Sequence, residues 1–389
     1  MASPRTAARL HGIPPTIFST MSALAVRTGA VNLGQGFPDV DGPPEVIAAA
    51  VAALESGANQ YAPGIGIPAL RQAIAGHQRR HYGLELDPDT QVVVTTGCTE
   101  GIAAALLGLV DPGDEVVVLE PYYDSYVAMM QMAGGVRRPV TLRAPDFRLD
   151  LDELRAAVSD RTRFVLLNSP HNPTGTVLTR EELTAIAELA VERDLVVITD
   201  EVYEHLTFDT EHVPIATLPG MAERTLTLSS AGKSYSFTGW KVGWATGPAE
   251  LVGGLLAAKQ WLTFTSGAPL QPAVAAALDE HPAFPAALAA ELHAKRDLLC
   301  DGLEKLGLRG RPPEGTYFAT SDITDLGWPD AMAFCLALPE RAGVVGIPAQ
   351  VFYDDAVAGR QLVRWAFCKR TEVIEEALGR LAAADLTYR

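Results

Sequence analysis

Residues 225–246 read Thr225-Leu226-Thr227-Leu228-Ser229-Ser230-Ala231-Gly232-Lys233-Ser234-Tyr235-Ser236-Phe237-Thr238-Gly239-Trp240-Lys241-Val242-Gly243-Trp244-Ala245-Thr246. Two short strand patterns, 225–228 and 242–246, enclose a loop of hydroxyl residues, glycines and two lysines. A lysine set among small residues and hydroxyls can form an imine with an aldehyde when its surroundings lower its pKa. Ser230 and Lys241 add a hydroxyl donor and a point charge, which suit a phosphate. An aldehyde that also carries a phosphate describes pyridoxal 5'-phosphate (PLP). An exposed loop with a surface lysine also fits this stretch taken alone.

Outward from this stretch, apolar strand candidates at 92–95, 116–119, 164–167 and 195–199 alternate with helical patterns. Such runs predict strands of a parallel sheet buried on both faces by crossover helices. Polar residues stand just past the strand ends. Asn168 to Gly175, including Asn172, follow one; Asp200-Glu201-Val202-Tyr203 follow the next; the Lys233 loop follows the third. In an open α/β sheet that edge is where ligands bind. The helix expected after Gly97, over 102–109, presents backbone N–H groups to an anion at its start. Nearer the N-terminus, Ile17, Phe18, Met21, Leu24 and Ala25 recur at helical spacing, with Phe18 a packing residue there. Helices are expected from Pro43-Pro44 to about Glu55 and over 70–82, with Tyr61 in the loop between them. Residues 249–281 read as helical with a break at 266–269. Beyond Pro282 the pattern predicts a smaller α+β domain, with strand-like pieces at 317–319, 344–347 and 362–367.

The chain has 389 residues, a size for which two domains are the expectation. Its net charge of −16, with no basic block, argues against nucleic acid and anionic membrane as partners. Cys98, Cys300, Cys335 and Cys368 form no CxxC pair and no zinc spacing, so reduced thiols are expected. No signal peptide or membrane-spanning run is seen, and the chain reads as cytoplasmic. His77 and His81 stand at i, i+4 among Gln78, Arg79 and Arg80, which reads as a solvated helix face; no metal is expected.

Asn172-Pro173-Thr174-Gly175, Asp200-Glu201-Val202-Tyr203 and the Lys233 loop, in this order, resemble the class I aminotransferases, PLP enzymes of fold type I. The resemblance runs from Val31-Asn32-Leu33-Gly34-Gln35-Gly36 to Val363-Arg364-Trp365. Within the family the chain is most similar to the kynurenine, glutamine and methionine transaminases and the N-succinyldiaminopimelate transaminases. The resemblance implies an α/β fold: a large domain with a mainly parallel seven-stranded sheet between helices, and a smaller α+β domain. The expected division is an N-terminal arm with part of the small domain (1–45), a large PLP-binding domain (46–281) and a small C-terminal domain (282–389).

The resemblance also assigns roles. Lys233 is the Schiff-base lysine and proton shuttle, and Asp200 pairs with the pyridine nitrogen. Tyr203 and Asn172 bond the ring phenolate oxygen, and Tyr123 stacks on the ring. The backbone at Cys98 and Thr99, with Ser230 and Lys241, holds the phosphate, and Tyr61 reaches it from the partner subunit of a homodimer. Arg364 clamps the substrate α-carboxylate beside Gly36. Two departures concern the side-chain pocket. Thr99 stands where kynurenine transaminases carry an aromatic, and no Arg occurs over 261–265, where dicarboxylate-specific members have one. Phe18 and Phe264 imply aromatic walls instead. The expected activity is transfer of an amino group from an L-amino acid to a 2-oxo acid through pyridoxamine phosphate. Candidate donors are N-succinyl-diaminopimelate, methionine, glutamine, aromatic amino acids and kynurenine. The alternatives are a C–S β-lyase, and an aminotransferase-like enzyme of specialised (antibiotic) biosynthesis. A regulator built on a decayed aminotransferase fits poorly, because the chain is acidic and its fold begins within the first few tens of residues.

Overall fold

The computed structural model describes residues 7–13, 15–355 and 357–388; residues 1–6 of the expected N-terminal arm, and Pro14, lie outside the described residues. Helix α1 (Ile17–Thr28) buries Met21, Leu24 and Ala25 and stops where Gly29 turns left-handed at φ 65°. After the short strand β1 (Val31–Asn32), α2 (Pro44–Glu55) and α3 (Pro68–Tyr82) each place a proline in the first turn, where its missing N–H costs nothing. Strand β2 (Val92–Thr95) is buried throughout and runs directly into α4 (Gly97–Leu109). Next come β3 (Glu115–Glu120), α5 (Asp124–Ala133), β4 (Val136–Thr141), α6 (Leu151–Ala157) and β5 (Thr162–Asn168). Then α7 (Arg180–Glu192), β6 (Val196–Asp200), β7 (Thr225–Ser230), the single turn α8 (Ala231–Ser234) and β8 (Gly243–Thr246) follow. Helix α6 is capped by Asp150, which accepts from the N–H groups of Asp152 and Glu153, and α7 by a reciprocal Thr179/Glu182 box.

These strands form one seven-stranded sheet in the order β2-β8-β7-β6-β5-β3-β4. All neighbours are parallel except β8, which is antiparallel to both β7 and β2. Strands β3 and β7 are buried at every position, as a sheet covered on both faces requires. Helix α9 (Ala249–Leu262) crosses α4 so closely that a Cβ on Gly108 would meet the Gly254 carbonyl oxygen at 2.1 Å, a contact only glycine allows. Helices α10 (Leu270–Glu280) and α11 (Phe284–Lys305) lead to β9 (Phe318–Asp322) and α12 (Ala331–Ala342). Strand β10 (Val344–Val345) pairs in parallel with β1. Strand β12 (Leu362–Ala366) lies between β11 (Ile347–Pro348) and β9, antiparallel to both, and α13 (Thr371–Ala383) follows. One apolar core runs from the large sheet to β9, β12 and α12, and a second joins α2, α3 and α10 around Tyr235 and Phe237.

The mainly parallel sheet is the expected one, and the six strand candidates fall on β2, β3, β5, β6, β7 and β8. The seventh, β4, carries two arginines and a proline at the open edge of the sheet, so no apolar run marks it. Helix α4 starts at Gly97 rather than at 102, because Glu100 turns back to accept the N–H of Thr96 and closes a first turn that has no apolar pattern. The reading of His77 and His81 as a solvated face fails at His77. That residue is 3% exposed and packs against His205, so this part of α3 turns inward.

Candidate active site

Strands β5, β6 and β7 are neighbours, and their carboxyl ends bring Asn168, Asp200 and Ser230 side by side; Asn168 and Asp200 are in direct register. Strand β8 folds back beside β7, and the start of β8 pairs with the end of β2, which places the first turn of α4 at the same edge. A cavity of about 290 Å³ lies there, walled by these ends and by Phe18, Gly36, Phe318 and Arg364 from either end of the chain.

Asp200 is buried and already held on both oxygens. The Tyr126 hydroxyl donates to Oδ2 at 2.7 Å, and the Cys98 thiol and the Val202 N–H donate to Oδ1 at 3.4 and 3.3 Å. Burial raises its pKa, and the three donors and Lys233 oppose that. The Asn168 carboxamide donates to the Asp200 carbonyl and accepts the Asn172 N–H, both at 2.8 Å, which fixes the loop after β5 to the end of β6.

Lys233 lies in α8, and its Nζ donates to the Tyr317 hydroxyl at 2.9 Å, which in turn donates to the Gly36 carbonyl at 2.6 Å. Tyr203 meets Tyr317 edge to face, with ring centres 5.2 Å apart. Burial above all brings the Lys233 amine down to about 8, with Lys241 and Arg364 adding to it and Cys368 and Asp200 opposing. At pH 7 that makes about one amine in ten neutral, against about one in three thousand for an ordinary lysine.

Arg364 stands on β12 and is 1% exposed. Its Nη1 donates to Asn172 Oδ1 at 3.1 Å and its Nη2 to the Gly34 carbonyl at 2.7 Å, while Nε is buried without a partner. The guanidinium lies over the rings of Phe318 and Phe18, 4.0 and 4.9 Å from their centres. Burial lowers its pKa to about 10. A buried cation with a spare donor favours an anion in the cavity.

At the opposite side Lys241 takes the left-handed conformation, φ 55°, and its Nζ packs against Gly97, where a Cβ would sit 3.2 Å from it. Gly97 itself has φ 69°. The first-turn N–H groups of α4, at Cys98 and Thr99, have no partner within the helix, and with Ser230 and Lys241 they make a cradle for an anion. Tyr123 lines the same space, edge-on to Tyr126.

The cavity thus gathers Lys233, Asp200, Tyr203, Asn172, Tyr123, Cys98, Thr99, Ser230, Lys241, Arg364, Gly36 and Phe18. Tyr61 and Phe264 are not among its walls. They meet edge to face at 5.5 Å on the surface, 84% and 50% exposed. Three residues to which sequence reasoning gave no individual role also act here. Asn168 directly follows an apolar run and was visible by position. Tyr126 stands one helical turn beyond Tyr123. Tyr317 carried no local signal, because its carbonyl partner is Gly36, at the far end of the chain.

The model of the family described as aminotransferase class I and II matches residues 28–381. The chain belongs to this family. As an aminotransferase it is 54% identical to the Mycobacterium tuberculosis protein named "Probable N-succinyldiaminopimelate aminotransferase", over 97% of this chain and 98% of that one. It is 40% identical to the methionine aminotransferase of Escherichia coli, over 96% and 97% of the two chains. Among solved structures, the aminotransferase superposes on N-succinyldiaminopimelate aminotransferase from Mycobacterium tuberculosis with a TM-score of 0.95 and 55% identity, covering 97% of this chain and 99% of that one. This aminotransferase is an enzyme with the α/β architecture of those structures. Among its described residues no helix is long and apolar enough to cross a membrane.

Proposed function

We propose that this aminotransferase carries PLP in the cavity, moves the amino group of an L-amino acid to a 2-oxo acid, and takes N-succinyl-diaminopimelate as its preferred donor. The observation that carries the reading is one cavity holding two unusual cations: a lysine whose amine is brought to about 8, and a buried arginine with an unpartnered Nε. The residues fit the cofactor by their chemistry. The α4 cradle with Ser230 and Lys241 suits its phosphate, the buried Asp200 carboxylate suits a protonated ring nitrogen, and Tyr203 and Asn172 suit its phenolate oxygen. When bound, PLP supplies an electron-accepting ring that stabilises negative charge at the donor α-carbon and carries the amino group from donor to acceptor.

Lys233 would hold the cofactor through Nζ, and the same atom would accept the α-carbon proton. Its lowered pKa keeps a neutral amine available for this. Tyr317 sets the direction of Nζ. Arg364 orients the α-carboxylate, with Gly36 beside it, and Phe18 shapes the side-chain pocket. Phe264 and Tyr61, exposed in the single chain, reach the neighbouring site in a homodimer, Tyr61 at the cofactor phosphate. The proposed setting is the cytoplasm. The donor is supported by the similarity to the two relatives: identity is higher with the N-succinyldiaminopimelate enzyme than with the methionine enzyme.

Borohydride reduction of the PLP-loaded protein, followed by peptide mass spectrometry, should place the cofactor on Lys233; an adduct on Lys241 would overturn the assignment. A donor panel with 2-oxoglutarate should give its highest kcat/KM for N-succinyl-diaminopimelate. A higher value for methionine, glutamine or kynurenine would refute the donor and leave transamination standing.

A further inference from the structure

Away from the cavity, α3 and the segment after β6 bring three imidazoles together. His77 and His81 share one face of α3 at i, i+4, and His205 faces them from the other side. The ring centres form a near-equilateral triangle: 4.6 Å for His77–His81, 4.9 Å for His77–His205 and 4.8 Å for His81–His205. One ligand nitrogen from each ring lies within 4.8 Å of the others, and His77 Nε2 stands 2.7 Å from His205 Nε2. Tetrahedral zinc with Zn–N bonds of about 2.0–2.1 Å needs nitrogens about 3.3 Å apart, so the set closes on an ion by small ring rotations. We propose that His77, His81 and His205 form a site for a divalent transition metal of the zinc class, with the fourth position open to solvent.

Two further observations favour an ion there. His77 is buried while His81 is exposed, so the triangle has a fixed floor and an entry path. Glu204, next to His205, is a buried carboxylate held by the Tyr82 hydroxyl at 2.6 Å and the Ser229 hydroxyl at 2.5 Å. Among the described residues no Lys, Arg or His forms an ion pair with it, whereas Glu201 has His212 at 2.8 Å. A dication beside neutral imidazoles offsets that charge. Because His205 follows Asp200 and Tyr203 on one short segment, the ion clamps α3 to the segment that carries the Asp200 wall of the cavity.

The test uses the PLP-loaded protein without a histidine tag, incubated with Zn²⁺ alone and passed through gel filtration and a chelating resin. Elemental analysis should find about one zinc per chain in the native protein and less than about a tenth of that in His81→Ala and His205→Ala. His81→Ala changes an exposed residue and decides the matter if His205→Ala does not fold. His81→Cys keeps a zinc ligand and should retain the metal. Zn²⁺ should also raise the Tm of the native protein and leave that of His81→Ala unchanged. No retained zinc in the native protein, or equal retention by native and His81→Ala, would overturn the site and leave the His77–His205 contact as a plain hydrogen bond.

Discussion

Replacing Arg364 by lysine keeps the charge and removes the planar fork. In the native chain two of the five guanidinium N–H donors, one on Nη1 and one on Nη2, go to Asn172 and Gly34, and Nε is among those left without a partner. An ammonium has three donors on one atom and cannot reach Asn172, Gly34 and a carboxylate with the same geometry. The substrate α-carboxylate therefore loses about one charge-assisted hydrogen bond, worth about 1.5–3 kcal/mol. At 1.36 kcal/mol per factor of ten, kcat/KM falls by about 10- to 150-fold. The same loss is expected for every amino donor and every 2-oxo acceptor, since all share that carboxylate. Steady-state kinetics with three donors of different side chain and two acceptors measures it. Thermal unfolding of the variant serves as the control, because losing a partner at Asn172 or Gly34 costs about 1–3 kcal/mol of stability as well. A loss confined to one substrate would refute the reasoning and put Arg364 in the side-chain pocket.

Two further outcomes follow from the same geometry. In the cofactor-free protein Lys233 titrates near 8 when folded and at the ordinary 10.5 when unfolded, so between those values the unfolded chain binds the extra proton and stability rises with pH. The gain approaches about 3 kcal/mol by pH 10.5, and the difference in pH slope between native protein and Lys233→Met in urea unfolding isolates it; identical slopes would show an unshifted amine. If Tyr61 serves the neighbouring subunit, refolding Lys233→Ala together with Tyr61→Phe at limiting PLP should raise activity per intact Lys233 site above that of the Tyr61→Phe homodimer, whereas no gain despite proven subunit exchange places Tyr61 in its own chain or at no site.

The sheet was legible because strands buried on both faces must be apolar along their whole length, as at Val116 to Leu119 and Phe164 to Leu167. The site was legible for a related reason: Asp200, Asn172 and Lys233 stand just past such runs, and strand ends are fixed in space once the strands are. Edge strand β4 escaped because an edge strand has one ladder partner and tolerates Arg137, Arg138 and Pro139, which break the apolar run. Tyr317 and Arg364 depend on contacts between the two ends of the chain, which no local pattern encodes; Arg364 was reached through family resemblance alone. His77 was misread because Gln78, Arg79 and Arg80 make its surroundings look polar in sequence, while the inward face of α3 is set by His205 and Trp244 from elsewhere.

The reversed strand β8 carries a consequence for synthesis. Strand β2 lies at the sheet edge and has β8 as its one neighbour, Val92 opposite Thr246. A nascent chain that has not yet released Gly243–Thr246 from the ribosome has nothing for β2 to pair with, and the Gly97–Lys241 contact does not exist. The anion cradle therefore closes only after about two thirds of the protein has emerged, and the Arg364 clamp only when nearly all of it has. Until then α2, α3 and β2 wait as an unpartnered N-terminal segment with apolar faces, a period in which chaperone binding has most to protect.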